Sequence, residues 1–249
     1  MRILLDISYD GHNYIGFQRQ LEGKTIQKEI EIVLSKIFNT EIVITASGRT
    51  DAGVHALHQF ITFTTTKSKI DLGQLKYSLN CMLPNDIHVN DIKEVNEEFH
   101  PRRNAINKTY MYLLNMSEAN PFYENYRYEL KRKLDVDKMI DASKAFLGEH
   151  DFKNFTTKEE DLHNFIRRID DIIIIQNGSE ITFKITGNGF MRYMVRMIVG
   201  TLIMIGLKKE TKDFIEKRLD PSNNRNVVIY KAPANGLYLA NVEYKWEEI

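Results

Sequence analysis

The sequence predicts an α+β fold in which two ferredoxin-like (RRM-like) halves share a continuous, mostly antiparallel sheet flanked by helices, with a central cleft. Runs rich in β-branched and aromatic residues alternate with runs of helical periodicity. In the first part of the chain their order is strand, helix, strand, loop, strand, helix, strand, which is a split βαβ pattern. The second part repeats this order without a repeat of sequence. We therefore predict an N-terminal half over residues 1–105 and a C-terminal half over residues 106–249 that completes the cleft.

The first half contains two predicted helices between short strands. Thr25 is a good N-cap residue, and apolar residues recur at helical spacing behind it as far as Phe38. Asp71 and Gln74 form a capping box for the second helix, which should end near Pro84. The predicted strands are residues 2–8, 42–44, 58–64 and 87–95.

The second half follows the same plan. Asp135 should cap a helix that turns Met139, Ile140 and Phe146 toward the core and ends at Gly148. Further helices are predicted over residues 191–205 and 211–219. The predicted strands are residues 112–114, 166–175, 181–185 and 237–244.

The composition is that of a soluble globular protein, with 43% hydrophobic and 27% charged residues in 249. No apolar run approaches the roughly 20 residues that span a bilayer. The first residues become charged too soon for a signal peptide, so we expect a cytoplasmic protein. Cys81 is the only cysteine, which excludes an intrachain disulfide, and its place at the end of an apolar helix predicts a small buried side chain.

The chain carries 34 basic and 34 acidic residues, which argues against binding nucleic acid through bulk charge. An RNA site would have to be a local concentration of cations. Most such groups in proteins are simply solvated surface. The candidates are Arg102-Arg103 with Lys108, Lys131-Arg132-Lys133, Arg167-Arg168, and Arg192 with Arg196.

The most informative stretch is a polar loop between the predicted strands 42–44 and 58–64. Gly48 and Gly53 bracket Arg49, Thr50 and Asp51, so the backbone can adopt positive φ at either end of the loop. Such a loop can hold a carboxylate ready for chemistry. Composition alone favours the other interpretation, a tight connection with a solvated Arg and Asp.

Residues 48–56, Gly-Arg-Thr-Asp-Ala-Gly-Val-His-Ala, resemble the catalytic loop of the tRNA pseudouridine synthases of the A type. The resemblance covers nearly the whole chain and implies the same two-half architecture. It also implies that Asp51 is the nucleophile. Tyr110 matches the tyrosine that stacks on the target uracil and is a candidate for moving the C5 proton. Arg196, in Met-Val-Arg-Met-Ile-Val-Gly, matches the arginine that forms an ion pair with the catalytic carboxylate.

Other residues carry alternatives that the sequence leaves open. The loop 9–20 resembles the first motif of the family, so Tyr14, Phe17 and Arg19 are expected to face substrate, although the aromatic rings could instead enter the core. Without the resemblance, Tyr110 would be interpreted as a half-buried strand residue that only fills space in the packing. Arg196 lies on a nearly all-apolar helix, where a buried charge would be costly. Its guanidinium therefore needs a charged partner, a solvent-filled cleft or a side-chain path to the surface.

The implied reaction breaks the bond between N1 of uridine and the ribose, turns the base and rejoins it through C5. One carboxylate can suffice, by adding to C1′ or C6 or by removing a ribose proton, and no cofactor or metal is expected. A base in a stem must first be extruded. Arg49 is the candidate to enter the space it leaves, and Arg19 and Arg102 are candidate substrate-binding residues. The family modifies tRNA positions 38, 39 and 40 in the anticodon stem and loop, and its members are homodimers.

Several rival interpretations remain. A non-catalytic RNA-binding module with RRM-like halves would retain RNA binding without Asp51, but the aromatic strand signature of such modules is missing. A glycosidase-like enzyme would need a second carboxylate in the loop, which has none. Gly187 and Gly189 lack the third glycine of a dinucleotide fingerprint. His55 and His58 should lie on opposite faces of a strand with no carboxylate beside them, so a metal is not predicted.

Overall fold

The computed structural model describes residues 1–67, 69–157 and 165–248. They contain both helices and strands, which confirms the predicted α+β class. The chain divides into two compact units, one made of Met1–Ile106 with Tyr238–Ile249 and one made of Asn107–Leu237. Two folding domains that meet at residues 105 and 106 stay a prediction. No helix in the described part of the chain has the length and apolar character that a bilayer crossing requires.

The regular elements are, in chain order, β1 (Arg2–Tyr9), α1 (Ile26–Phe38), β2 (Thr45–Ala46), β3 (His55–Thr64), α2 (Leu72–Met82), β4 (Ile87–Val95), β5 (Asn107–Asn115), β6 (Tyr128–Glu129), α3 (Val136–Ser143), β7 (Gly148–Asp151), β8 (Ile166–Asn177), β9 (Glu180–Gly187), α4 (Met194–Gly206), α5 (Lys212–Leu219) and β10 (Leu237–Glu243).

In the first unit, β1 lies between β4 and β3 and is antiparallel to both. The other edge of β3 has two partners. The short β2 pairs antiparallel with Ile61 and Thr62, and β10 pairs parallel with His55 and Ala56. The chain segment that joins β2 to β3 therefore lies at the edge of the sheet where β3 pairs with both β2 and β10. That segment contains Asp51.

The caps of the first unit form as predicted. The side chain of Thr25 accepts a hydrogen bond from Lys28 N at the start of α1, and Asp71 accepts one from Gln74 N at the start of α2. Cys81, however, is exposed, so its predicted burial is wrong. It follows the buried Leu79 by two residues, which places it on the other side of the helix.

The predicted strand 42–44 is also wrong, since β2 begins only at Thr45. The backbone donors that a strand would use are taken by side chains of α1. Ile42 N donates to Ser35 Oγ over 2.9 Å and Ile44 N donates to Glu31 Oε1 over 3.1 Å. Burial still alternates along this segment as it would in a strand, since Ile42 and Ile44 are buried and Val43 is exposed, but the segment is not paired with another strand.

The second unit contains an antiparallel sheet in the order β5-β9-β8-β7, with β6 parallel to β5. Helix α3 packs against α4, where a Cβ on Gly206 would lie 2.5 Å from Met139 Sδ. Helix α3 ends at Ser143, before the predicted stop at Gly148, because a 3-10 turn over Lys144–Phe146 follows it. Ile140 was expected in the core and is exposed.

Helix α4 begins at Met194, three residues later than predicted. Tyr193, directly before it, has φ 65° and ψ 0°, which is left-handed backbone and cannot continue a helix toward Met191. From Met194 onward nearly every side chain is buried, which accounts for the apolar character of the sequence there.

Candidate active site

The Asp51 loop, residues 47–54, is fixed at its start by a buried glutamine. Ser47 N donates to Phe60 O over 2.8 Å, and Ser47 Oγ donates to Gln59 Oε1 over 2.6 Å. The amide of Gln59 donates in turn to Gly48 O over 2.7 Å. Ser47 and Gln59 are completely buried. The chain therefore leaves β2 along one defined path.

The centre of the loop is held at Thr50. Its hydroxyl is 2.8 Å from the hydroxyl of Tyr9, and its carbonyl accepts a hydrogen bond from Phe17 N over 3.1 Å. These contacts fix the residue immediately before Asp51. Thr50 is buried, Asp51 is half-buried and Arg49 is exposed.

A turn closes directly behind Asp51. Val54 N donates to Asp51 O over 3.2 Å, and Gly53 between them has φ 75°, which a glycine adopts without strain. Both glycines of the loop allow positive φ, and Gly53 adopts it whereas Gly48 does not. The carboxylate thus sits between an anchored Thr50 and a tight turn.

A second segment, the supporting loop of residues 10–17, packs against the Asp51 loop. Gly53 N donates to Tyr14 O over 3.3 Å. A Cβ on Gly11 would lie 2.0 Å from Val54 O, and one on Gly16, whose φ is +118°, would lie 3.1 Å from Thr50 O. Glycine at both positions lets the two backbones touch. The supporting loop is therefore a backbone support for Asp51.

This arrangement corrects one prediction. Tyr14 and Phe17 are buried and cannot offer stacking faces to a base. The hydroxyl of Tyr14 donates to Asp86 Oδ1, and Lys24 Nζ lies 4.5 Å from the centre of its ring. Burial, followed by the hydrogen bond to Asp86, raises the pKa of Tyr14 far above its ordinary value. Tyr14 is a structural residue.

The two histidines of β3 do have carboxylate neighbours, contrary to expectation. Nδ1 of the buried His55 lies 3.1 Å from Asp10 Oδ1 and 3.2 Å from Gly11 N, and its ring stacks on Tyr238 at 4.6 Å. Nδ1 of the exposed His58 lies 2.8 Å from Asp6 Oδ2. Among the described residues, no three His, Cys, Asp or Glu side chains lie together as metal ligands would.

Two further predicted site residues lie in the second unit. Tyr110, on β5 opposite Ile185, is half-buried, and its ring meets Phe190 edge-to-face at 5.2 Å. Arg196, on the first turns of α4, donates from Nε to Ala232 O over 2.7 Å. Ala232 N donates back to Arg196 O over 3.0 Å, so this arginine is anchored to the chain before β10.

The remaining predicted residues lie in the first unit. Arg19 Nη1 is 3.3 Å from Glu31 Oε2, and its side chain is 51% exposed. Arg102 is exposed and lies in a turn, where its own backbone N–H donates to His100 Nδ1 over 3.2 Å. Burial, and after it the charge of Arg103, lowers the pKa of His100. The roles of Arg19, Arg49 and Arg102 stay predictions.

Sequence reasoning overlooked the residues that hold the site. Gln59 contacts Ser47 across 12 residues and Tyr9 contacts Thr50 across 41 residues of the sequence, so no local pattern predicts these contacts. Gly11 and Gly16 were visible as glycines five apart, but their contact partners were not.

The fold and the loop together define an α+β protein that presents one carboxylate on a backbone-supported turn. A family model described as tRNA pseudouridine synthase matches residues 7–102 and 142–245. A tRNA pseudouridine synthase A of Staphylococcus aureus (strain MRSA252) is 35% identical over 97% of this chain and 91% of its own length. The protein of the same name from Francisella tularensis subsp. holarctica (strain FTNF002-00 / FTA) is 38% identical over 97% and 93%. The chain therefore belongs to the tRNA pseudouridine synthase family.

This membership confirms the predicted enzyme class, an isomerase that converts uridine to pseudouridine. The chain also aligns with part of a crystal structure of a Cbf5-Nop10-Gar1 complex, at 11% identity, over 81% of this chain and 54% of that chain. The TM-score of that alignment is 0.34, which is too low to support a conclusion.

Proposed function

We propose that this enzyme acts on uridines 38, 39 and 40 in the anticodon stem and loop of tRNA, with Asp51 as the reacting carboxylate and without a cofactor. The observation that supports this most directly is the construction of the Asp51 loop. A half-buried carboxylate lies between the anchored Thr50 and the turn at Gly53. Such fixed placement is what a reacting group requires, because a small misplacement lowers the rate strongly.

The reaction needs no net exchange of electrons. The bond between N1 and C1′ breaks, a bond between C5 and C1′ forms, C5 loses its proton and N1 ends with one. The carboxylate of Asp51 can add to C1′ or C6, or remove a ribose proton, so that the detached uracil can turn before it rejoins.

The other residues receive roles around this carboxylate. Arg196 keeps Asp51 ionised, since a nearby cation lowers the pKa of a carboxyl group. Tyr110 stacks on the uracil and moves the C5 proton. The exposed Arg49 enters the space left by the extruded base, and Arg19 and Arg102 contact the RNA backbone. We also propose that the enzyme is a cytoplasmic homodimer that needs no metal.

Replacing Asp51 tests the proposal. We expect Asp51→Ala to bind tRNA with unchanged affinity and to form no pseudouridine, because the substitution removes the reacting group and leaves the surface intact. The control is Glu97→Gln, which neutralises an exposed carboxylate of the same unit. Binding is measured by filter retention, and pseudouridine is mapped by carbodiimide labelling and primer extension.

Two results would contradict the proposal. If Asp51→Ala still forms pseudouridine, Asp51 is not the reacting group. If tRNA from cells that lack this protein keeps its pseudouridine at positions 38, 39 and 40, the assigned substrate is wrong.

A further inference from the structure

Three cations surround one tyrosine ring in the second unit. The centre of the Tyr193 ring lies 4.3 Å from Lys231 Nζ, 4.7 Å from Arg192 Cζ and 5.4 Å from Arg196 Cζ. Arg192 Nη2 also donates to the Tyr193 hydroxyl over 2.8 Å. We call Arg192, Tyr193 and Lys231 the cation-tyrosine cluster.

In the part of the chain that the structure describes, Arg192 and Lys231 have no counter-charge. Arg192 and Lys231 are exposed, and no carboxylate in the described ranges forms an ion pair with either. Arg127 and Arg168, by comparison, both pair with acidic side chains. Like charges that gather at one ring repel each other, and the ring offsets only part of that repulsion.

Contacts of the backbone hold these cations close together, although their charges repel each other. Lys231 precedes Ala232, whose N–H and carbonyl both bond to Arg196. The same segment lies on Gly200, where a Cβ would be 2.6 Å from Tyr230 O. The carbonyl of Arg192 accepts a hydrogen bond from the completely buried Thr156 Oγ1 over 3.0 Å. Contacts of the backbone thus fix the positions of both Arg192 and Lys231 in the fold.

We infer that the cation-tyrosine cluster is a binding site for a phosphate group of the RNA backbone. Arg192 and Lys231 supply charge and N–H donors, and the Tyr193 hydroxyl supplies a further donor. A bound phosphate would remove the repulsion between the cations. The identity of that RNA as tRNA depends on the proposed function.

The charge of the whole chain makes such a local site necessary. With a formal net charge of +0 at pH 7, the protein has no bulk attraction for a polyanion. Affinity for RNA therefore requires local groups of exposed cations, and each phosphate that they neutralise releases counter-ions. Arg192 and Lys231 meet this condition.

The test is the salt dependence of tRNA binding. The dissociation constant of an unmodified tRNA transcript is measured from 50 to 200 mM salt for the full-length protein and for Arg192→Gln/Lys231→Gln. We expect the slope of log affinity against log salt to fall by about two, roughly one for each phosphate contact that is lost.

The matched control is Lys209→Gln/Lys217→Gln, which removes two exposed charges of the same unit. We expect this control to keep the slope of the unaltered protein. If both double variants give the same slope, the inference is wrong. Thermal melting checks folding, and Lys231→Gln alone, with an expected change of about one, serves if the double variant melts early.

The result separates this inference from the proposed function. If the unaltered protein forms pseudouridine and the slope does not depend on Arg192 and Lys231, only the inference fails. If the slope depends on them but no tRNA is modified, the cluster is a phosphate site and the proposed function fails.

Discussion

At the scale of single residues, Gln59 is the side chain that most directly fixes the path of the Asp51 loop. It joins Ser47 and Gly48 through two hydrogen bonds and is completely buried. A buried amide with both ends used in this way is costly to replace, because its former partners lose their hydrogen bonds.

We expect Gln59→Leu to lower the free energy of unfolding by about 1–3 kcal/mol, since Ser47 Oγ and Gly48 O are left without their partner in the core. The rate of pseudouridine formation should fall more than tRNA affinity. Urea denaturation and single-turnover kinetics measure the two effects. Glu41→Gln, an exposed substitution in the same unit, should change neither, and an equal loss in both variants would contradict this role.

Gly11 gives a second prediction at this scale. A methyl group there would lie 2.0 Å from Val54 O, which is backbone and cannot turn aside. We expect Gly11→Ala to separate the supporting loop from the Asp51 loop, to destabilise the protein by about 1–3 kcal/mol and to lower the turnover rate while tRNA still binds. In Gly189→Ala the new methyl group meets no atom within 4 Å, so wild-type behaviour is expected.

At the scale of elements, the pairing of β5 with β6 is tied by a buried carboxylate. Glu129 Oε1 accepts from Arg127 Nε over 2.7 Å and its Oε2 accepts from Asn115 Nδ2 over 2.6 Å. Burial alone would raise the pKa of Glu129, but these two hydrogen bonds and the charge of Arg127 outweigh it and lower the pKa below its ordinary value.

A lowered pKa in the folded state means that Glu129 stabilises the fold above the pKa of the unfolded chain. This contribution is lost as the pH falls through the lower, folded pKa. We therefore expect Glu129→Gln to be less stable than the unaltered protein at pH 7, with a difference that shrinks as the pH falls below about 4. Chemical denaturation at a series of pH values measures it. A difference independent of pH would show that the charge of Glu129 is irrelevant.

At the scale of the whole molecule, the sequence predicted the structural features that depend on neighbouring residues. It failed for features that depend on contacts with other parts of the fold. The cap at Thr25 and the periodicity of α1 lie within one stretch of chain, and both were predicted. The strand at 42–44 was displaced because Glu31 and Ser35 of α1 take its backbone donors. The late start of α4 depends on the left-handed backbone of Tyr193, which composition does not reveal.

The same distinction applies to the candidate site. Asp51 was recognised from a contiguous string, but the support from Gly11 and Gly16 depends on contacts across about forty residues of chain. The burial of Tyr14 and Phe17 depends on the same contacts. A motif can thus single out a candidate reacting group and still mislead about its neighbours.

The parallel pairing of β10 with β3 makes a prediction at this scale. The first unit includes Tyr238–Ile249, and Tyr238 lies against His55 at the end of the Asp51 loop. We expect a chain truncated after Leu237 to lose pseudouridine formation and to melt at a lower temperature, because β3 loses an edge partner beside the loop. Calorimetry and the activity assay measure this, and a truncated chain that melts normally would contradict it.

During synthesis on the ribosome, this placement of β10 imposes a delay. Residues 1–106 emerge long before residues 238–249, so the sheet edge at His55 stays open while more than half of the chain is still to be translated. Open strand edges invite pairing with other chains. In the nascent enzyme this edge is therefore open to such pairing until β10 has been released.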